Sequence, residues 1–273
     1  MPHDHNYKRK YSKQPQVKPE TLDEVEQTPT MQLFRQYASE LDDKHDRYER
    51  IVKMSRDITI ESKRIIFLLH NVGVDLDSKR EQIHKEAETR LNQLLSKFKA
   101  IALELEGHEH YLYLRAYAAG LEEYLEALYF YEYQTTNKLP FIEDITSRFH
   151  FSIESENERK ELTLLTPIVE MLLGIGDFTG EMMRKCINNL GSGNLENCFN
   201  LCSFVRQIYV GFMGLNWIGH SFISRKYHTL RESLYKMELV CYNIKVRGSE
   251  VPKHMLDVGL ASYPNLDDDE GYY

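Results

Sequence analysis

The sequence predicts an all-α fold, a bundle of long helices, and three observations predict it. Apolar residues recur at three- and four-residue intervals over stretches much longer than a strand. Helix breakers are scarce, with 14 glycines and 8 prolines in 273 residues, and Pro2, Pro15, Pro19 and Pro29 all precede the first periodic stretch. No convincing strand with a two-residue period appears.

Residues 1–30 hold prolines, glutamines and charges without apolar periodicity, which predicts a disordered tail. Its cluster Lys8-Arg9-Lys10 reads equally as a nuclear-import signal and as a solvated basic stretch. The helical domain is expected over 31–256. Phe34, Tyr37, Leu41, Tyr48, Ile51, Ile58, Ile65 and Leu69 predict one long helix over Met31–His70, interrupted at His45 and Ser55. A capping box, Ser78-Lys-Arg-Glu81, opens the second helix, which continues through Ile83, Ala87, Leu91, Leu94, Phe98 and Leu105. The third is expected from His110 to Gln134. Pro140–Thr166 reads as a charged connection with room for a short helix. Pro167, suited to a first turn, opens a fourth long helix to Leu190, ended by Gly191-Ser-Gly193. Two more are expected over Leu195–Met213 and Ser221–Val246, the last stopped by Gly248. Residues 257–273 form an acidic tail.

Composition narrows the function. A net charge of −8 does not suit a general nucleic-acid binder, because phosphate contacts need Lys and Arg. RNA would have to meet a local basic patch or a basic partner. The candidates are Lys53, Arg56, Lys63 and Arg64 on the first helix, joined by Arg184 and Arg206 if the helices pack suitably. No apolar run approaches the roughly 20 residues that span a bilayer, and no leader opens the chain, so a soluble, non-secreted protein without a membrane partner is expected. Cys186, Cys198, Cys202 and Cys241 occupy apolar helical positions outside any Cys-x-x-Cys pair. Buried reduced thiols are expected.

Two helices carry acids that a simple core-and-surface pattern does not explain. On the third, Leu114, Ala118, Leu121, Leu125 and Leu128 form the apolar stripe. A second stripe of Ala116, Ala119 and Ala127 includes Glu123 and Glu126. Small residues on a back face invite close approach of another helix, and glutamates three apart project together. Neighbouring buried carboxylates repel and take up protons unless a cation neutralises them. On the fourth helix, Leu172, Ile175, Phe178, Thr179, Met182, Cys186 and Leu190 face the core. Asp177 and Glu181 share the other side with Glu170, Gly174, Arg184 and Asn188. Hard oxygen ligands of this kind suit Mg²⁺ or Mn²⁺, with an arginine to hold phosphate. On spacing alone, paired acids on a helix more often form a solvated face. A helical di-iron centre needs two Glu-x-x-His motifs, and only Glu81-Gln-Ile-His84 is present. Walker, nucleophile-elbow and His-Glu-x-x-His motifs are absent.

Five blocks resemble one family. They are Asp42–Arg50, Ser55–His70, Gly120-Leu-Glu-Glu-Tyr-Leu-Glu-Ala127, Gly176-Asp-Phe-Thr-Gly-Glu-Met-Met-Arg-Lys-Cys-Ile187 and Lys245–Met255. In this order they resemble the translin family, in its translin-associated-X branch, over about Met31–Leu256. The resemblance implies a bundle of about seven helices and a hetero-oligomer with translin that encloses RNA. It implies a Mg²⁺-dependent endoribonuclease, Mn²⁺ substituting, acting on single-stranded or nicked small RNA. The passenger strand of small interfering RNA would be removed from the Argonaute silencing complex, in cytoplasm and nucleus. The family's catalytic, metal-binding carboxylates carry over onto Glu123, Glu126, Asp177 and Glu181. Beside them Glu122 stands where some relatives carry a neutral residue. A non-catalytic, nucleic-acid-binding scaffold that stabilises translin is the alternative.

Overall fold

The computed structural model describes residues 28–72, 77–154, 159–192, 194–215 and 219–247. The expected basic tail with Lys8-Arg9-Lys10, the Gly248 stop, most of the Lys245–Met255 block and the acidic tail lie outside the described residues. Residues up to Arg47 belong to one unit and those from Tyr48 onward to a second. Among the described residues there are seven helices: α1 (Pro29–His70), α2 (Asp77–Glu104), α3 (His110–Thr136), α4 (Ile142–Ser147), α5 (Ile168–Ser192), α6 (Leu195–Met213) and α7 (Ser221–Arg247). The fold is all-α, as expected, and no described helix is long and apolar enough to cross a membrane.

The α1 helix runs unbroken through both expected interruptions. His45 is exposed, where no apolar residue is required. Ser55 sits within the buried seam Ile51, Ser55, Ile58, Ser62, Ile65 and Leu69. Its hydroxyl accepts the Gly120 N–H at 3.1 Å, so a polar residue there marks a contact rather than a break.

One expectation is corrected outright. The Pro140–Thr166 connection holds α4 and also two antiparallel strands, β1 (His150–Glu154) and β2 (Arg159–Thr163), paired Phe151 to Leu162 and Ile153 to Lys160. Each has five residues: His150-Phe-Ser-Ile-Glu154 alternates over too short a span to announce a strand, and Arg159-Lys-Glu-Leu-Thr163 holds a single apolar residue. Phe149, just before β1, is fully buried, its ring edge-on to Phe98 at 5.1 Å and Tyr124 at 5.9 Å. The short sheet is thereby pinned to α2 and α3.

The α3 helix lies at the centre of the unit that begins at Tyr48. From Tyr124 to Phe130 every side chain is buried, including Glu126. Its apolar stripe is broader than expected, with Tyr117, Tyr124, Tyr129 and Phe130 added, whereas Ala119 is exposed. A helical stretch buried on every side belongs in an interior. The α5 helix packs on α3, α6 and α7. Phe178 of α5 contacts the rings of Tyr129, Phe130, Tyr133 and Phe204, at centroid separations of 6.1 to 6.4 Å.

Candidate active site

Three glycines set the helix spacings around the acidic residues. A Cβ at Gly120 of α3 would lie 2.7 Å from Ser55 Oγ and 2.8 Å from the Ser55 carbonyl oxygen. One at Gly174 of α5 would lie 2.9 Å from Leu125 Cβ, and one at Gly176 would lie 2.9 Å from Lys226 Cβ. Hydrogen at these positions lets α1, α3, α5 and α7 come together at backbone distance. Glu122, Glu123 and Glu126 lie within one turn of each other on α3. Asp177 and Glu181 are one turn apart on α5, with Glu170 nearer its start.

The structure brings the two acidic helices together. Burial comes first in pushing the Glu126 carboxyl well above the ordinary carboxylate range, and the charges of Asp177, Glu123 and Glu181 push it further; Lys226 only partly offsets them. Glu123 is raised by burial and by Asp177, against the pull of Lys63 and Lys226. Glu122, half-buried, is pushed up to about 8 by desolvation first and then by the neighbouring Glu170 carboxyl, and desolvation raises Glu170 as well.

Basic groups lie against the rim of this cluster. The Lys226 ammonium of α7 donates to Asp177 Oδ1. Lys63 Nζ of α1 lies 3.2 Å from Glu123 Oε1. His70 Nε2, at the end of α1, lies 2.5 Å from Glu181 Oε2, and Arg184 is 3.7 Å from the same oxygen. Among the described residues no three His, Cys, Asp or Glu side chains stand in a disposition that would hold a metal ion. The donor set nevertheless fits a hard divalent cation, since it consists of carboxylate oxygens whose shared charge is costly without one.

The expected RNA-binding residues separate. Lys63 and Arg184 reach the cluster through Glu123 and Glu181. Lys53, Arg56 and Arg64 are exposed on α1, with Arg64 engaged by Glu61 at 3.3 Å. Arg206 has a partner of its own. On α6 it gives Nε and Nη2 to Glu238 Oε1 of α7, at 3.1 and 2.8 Å. Lys226 and His70 were missed. Lys226 has no local signal, because only packing of α7 on Gly176 brings it to Asp177. His70 ends the Ser55–His70 block, so its position was on view but its partner was not.

The raised acids make stability depend on pH. An acid whose folded pKa lies above its ordinary value holds a proton that the unfolded chain has lost, so stability falls as pH rises between the two values. For Glu122 that window runs from 4.5 to about 8. Glu122→Gln is expected to flatten the decline of the thermal midpoint across this window in EDTA. An unchanged slope would show that Glu122 is not held protonated.

With an all-α bundle and these paired acids in view, the class is defined: the chain belongs to the translin family, whose model, described as Translin family, matches residues 46–248. It is similar to Translin-associated protein X of Mus musculus, 42% identical over 258 residues, covering 89% of this chain and 88% of that protein. The Translin-associated protein X homolog of Schizosaccharomyces pombe is 27% identical over 245 residues, covering 85% and 95%. Two solved structures share the fold. The crystal structure of apo-NeC3PO has a TM-score of 0.56 at 21% identity, covering 77% of this chain and 95% of that chain. The AfC3PO–duplex RNA complex has 0.55 at 21%, covering 80% and 99%.

Proposed function

We propose that this chain is the catalytic subunit of a Mg²⁺-dependent endoribonuclease assembled with translin, cleaving single-stranded or nicked small RNA. The observation that carries the reading is Glu126: a buried carboxyl crowded by the charges of Glu123, Asp177 and Glu181. Glu123, Glu126, Asp177 and Glu181 would hold the cation, with Mn²⁺ as a substitute. Bound there, it would supply Lewis acidity and an activated water for attack on a phosphodiester. The exposed Arg184 guanidinium is available to a phosphate oxygen. Lys226 and Lys63 place a positive charge beside Asp177 and Glu123. Likeness to translin-associated X proteins supports translin as partner. The AfC3PO–duplex RNA complex, whose fold this chain shares, supports RNA as ligand. Removal of the passenger strand of small interfering RNA from the Argonaute complex, in cytoplasm and nucleus, is the cellular role that follows.

One observation favours a second reading. Lys226 on Asp177 and Lys63 on Glu123 already counter part of the acidic charge, which suits a scaffold that stabilises translin and binds RNA without cutting it. The complex reconstituted with translin separates the two. Cleavage of a labelled single-stranded RNA should require Mg²⁺, stop in EDTA and vanish in Asp177→Ala while assembly persists. RNA binding without turnover, or full activity in Asp177→Ala, would leave the scaffold.

A further inference from the structure

All four cysteines of the chain meet at one place, although they arise from three helices. Cys186 belongs to α5, Cys198 and Cys202 to α6 and Cys241 to α7. The inner two are fully buried, and each thiol points at the other's backbone: Cys198 Sγ lies 3.4 Å from the Cys186 carbonyl oxygen, and Cys186 Sγ lies 3.9 Å from that of Cys198. The outer two differ from them. Cys202 is buried at 3% exposure, but Cys241 is only half-buried. Cys241 Sγ donates to the Cys198 carbonyl at 3.6 Å and also contacts the Cys202 thiol.

The surroundings of the outer pair favour reaction at Cys202. Arg206, one turn beyond Cys202 on α6, is bound by Glu238, one turn before Cys241 on α7. This clamp joins the same two helices as the outer thiols and sets a guanidinium beside the sulfurs. The hydrogen bond from Cys241 draws the Cys202 thiol below its ordinary range, and Arg206 adds to the effect against burial. Cys241, the donor, is pushed up. One sulfur is thereby the nucleophile and its neighbour the reserve of a proton.

We propose that Cys202 and Cys241 form a reversible disulfide between α6 and α7 when the protein meets a peroxide. The Cys202 thiolate attacks a peroxide oxygen; the O–O bond breaks, hydroxide leaves and Cys202 becomes a sulfenic acid. The Cys241 sulfur then attacks the Cys202 sulfur. An S–S bond forms, the S–O bond breaks, and water leaves carrying the Cys241 proton. The two thiols have lost two electrons, and the peroxide has become two waters once hydroxide takes up the proton that Cys202 had released.

The test uses the full-length protein as purified. Hydrogen peroxide followed by thiol titration in denaturant should lower the free thiols from four to about two, and dithiothreitol should restore them. Peptide mapping should find the Cys202 peptide joined to the Cys241 peptide. The Cys202→Ala variant should lose the cross-link, and Cys186→Ala should keep it. Four thiols surviving peroxide, a Cys186–Cys198 bond, irreversible oxidation of Cys241 without a cross-link, or zinc released from the untreated protein would each overturn the proposal. Mapping the wild-type protein decides the matter even if a variant fails to fold.

Discussion

Glu126→Gln is expected to remove RNA cleavage and, in the same preparation, to raise the thermal midpoint measured in EDTA. The two effects have opposite signs because the carboxyl serves the site at the expense of the fold. Glu126 is 9% exposed, and its ionised form is opposed by burial and by Asp177, Glu123 and Glu181. Its folded pKa lies above 4.5, so stability is lost as pH rises from 4.5 through the folded value. Glutamine keeps the shape and removes the charge, and that loss with it. Cleavage should fall by roughly 10²- to 10³-fold or more, as when a group that stabilises developing charge is removed. Mg²⁺ should raise the midpoint of the wild-type chain by mass action and raise that of the variant far less. A variant that cuts RNA at the wild-type rate, or that melts lower in EDTA, would sink the argument.

The second large effect is steric. Gly120→Ala lies inside a helix, where the exchange ordinarily gains about 1 kcal/mol. Here the new Cβ would lie 2.7 and 2.8 Å from Ser55 Oγ and O, and 3.2 Å from Ser55 Cα. The nearest atoms include main chain, so side-chain rotation cannot relieve the contact. A net loss of about 1–3 kcal/mol in urea unfolding is expected. Cleavage should fall with it, because α1 carries Lys63 and His70 to the acids. Gly180→Ala is the control: nothing lies within 4 Å of its Cβ, so stability should hold or rise by up to about 1 kcal/mol. Equal effects at the two positions would remove close packing as the reason for Gly120.

How much of this was legible depends on the range over which each signal acts. Helices of nineteen to forty-two residues repeat their apolar pattern many times, and their ends came within about two residues of the expected ones. The five-residue strands repeat nothing and were missed. Glu123 with Glu126, and Asp177 with Glu181, could be picked out because three- and four-residue spacing reports a shared face. That the two faces confront each other is a tertiary fact, carried by Gly174 against Leu125 and Gly176 against Lys226. Arg206 shows the reverse case. Its charge was visible, but Glu238, which engages it, lies thirty-two positions away. The cysteines were each read as core residues and are largely buried, yet no local pattern foretold that all four would meet.

The encasement of α3 bears on motion. An amide inside a rod walled by other helices exchanges with deuterium only when the walls part, so Tyr124 to Phe130 should be released only by opening of most of the unit. Glu126 therefore rides on a segment buried on every side, while Lys226 and Lys63 reach its neighbours Asp177 and Glu123 on long flexible stems from other helices. Adjustment to an incoming phosphate or ion falls to those stems, and the carboxylates stay where the fold has fixed them.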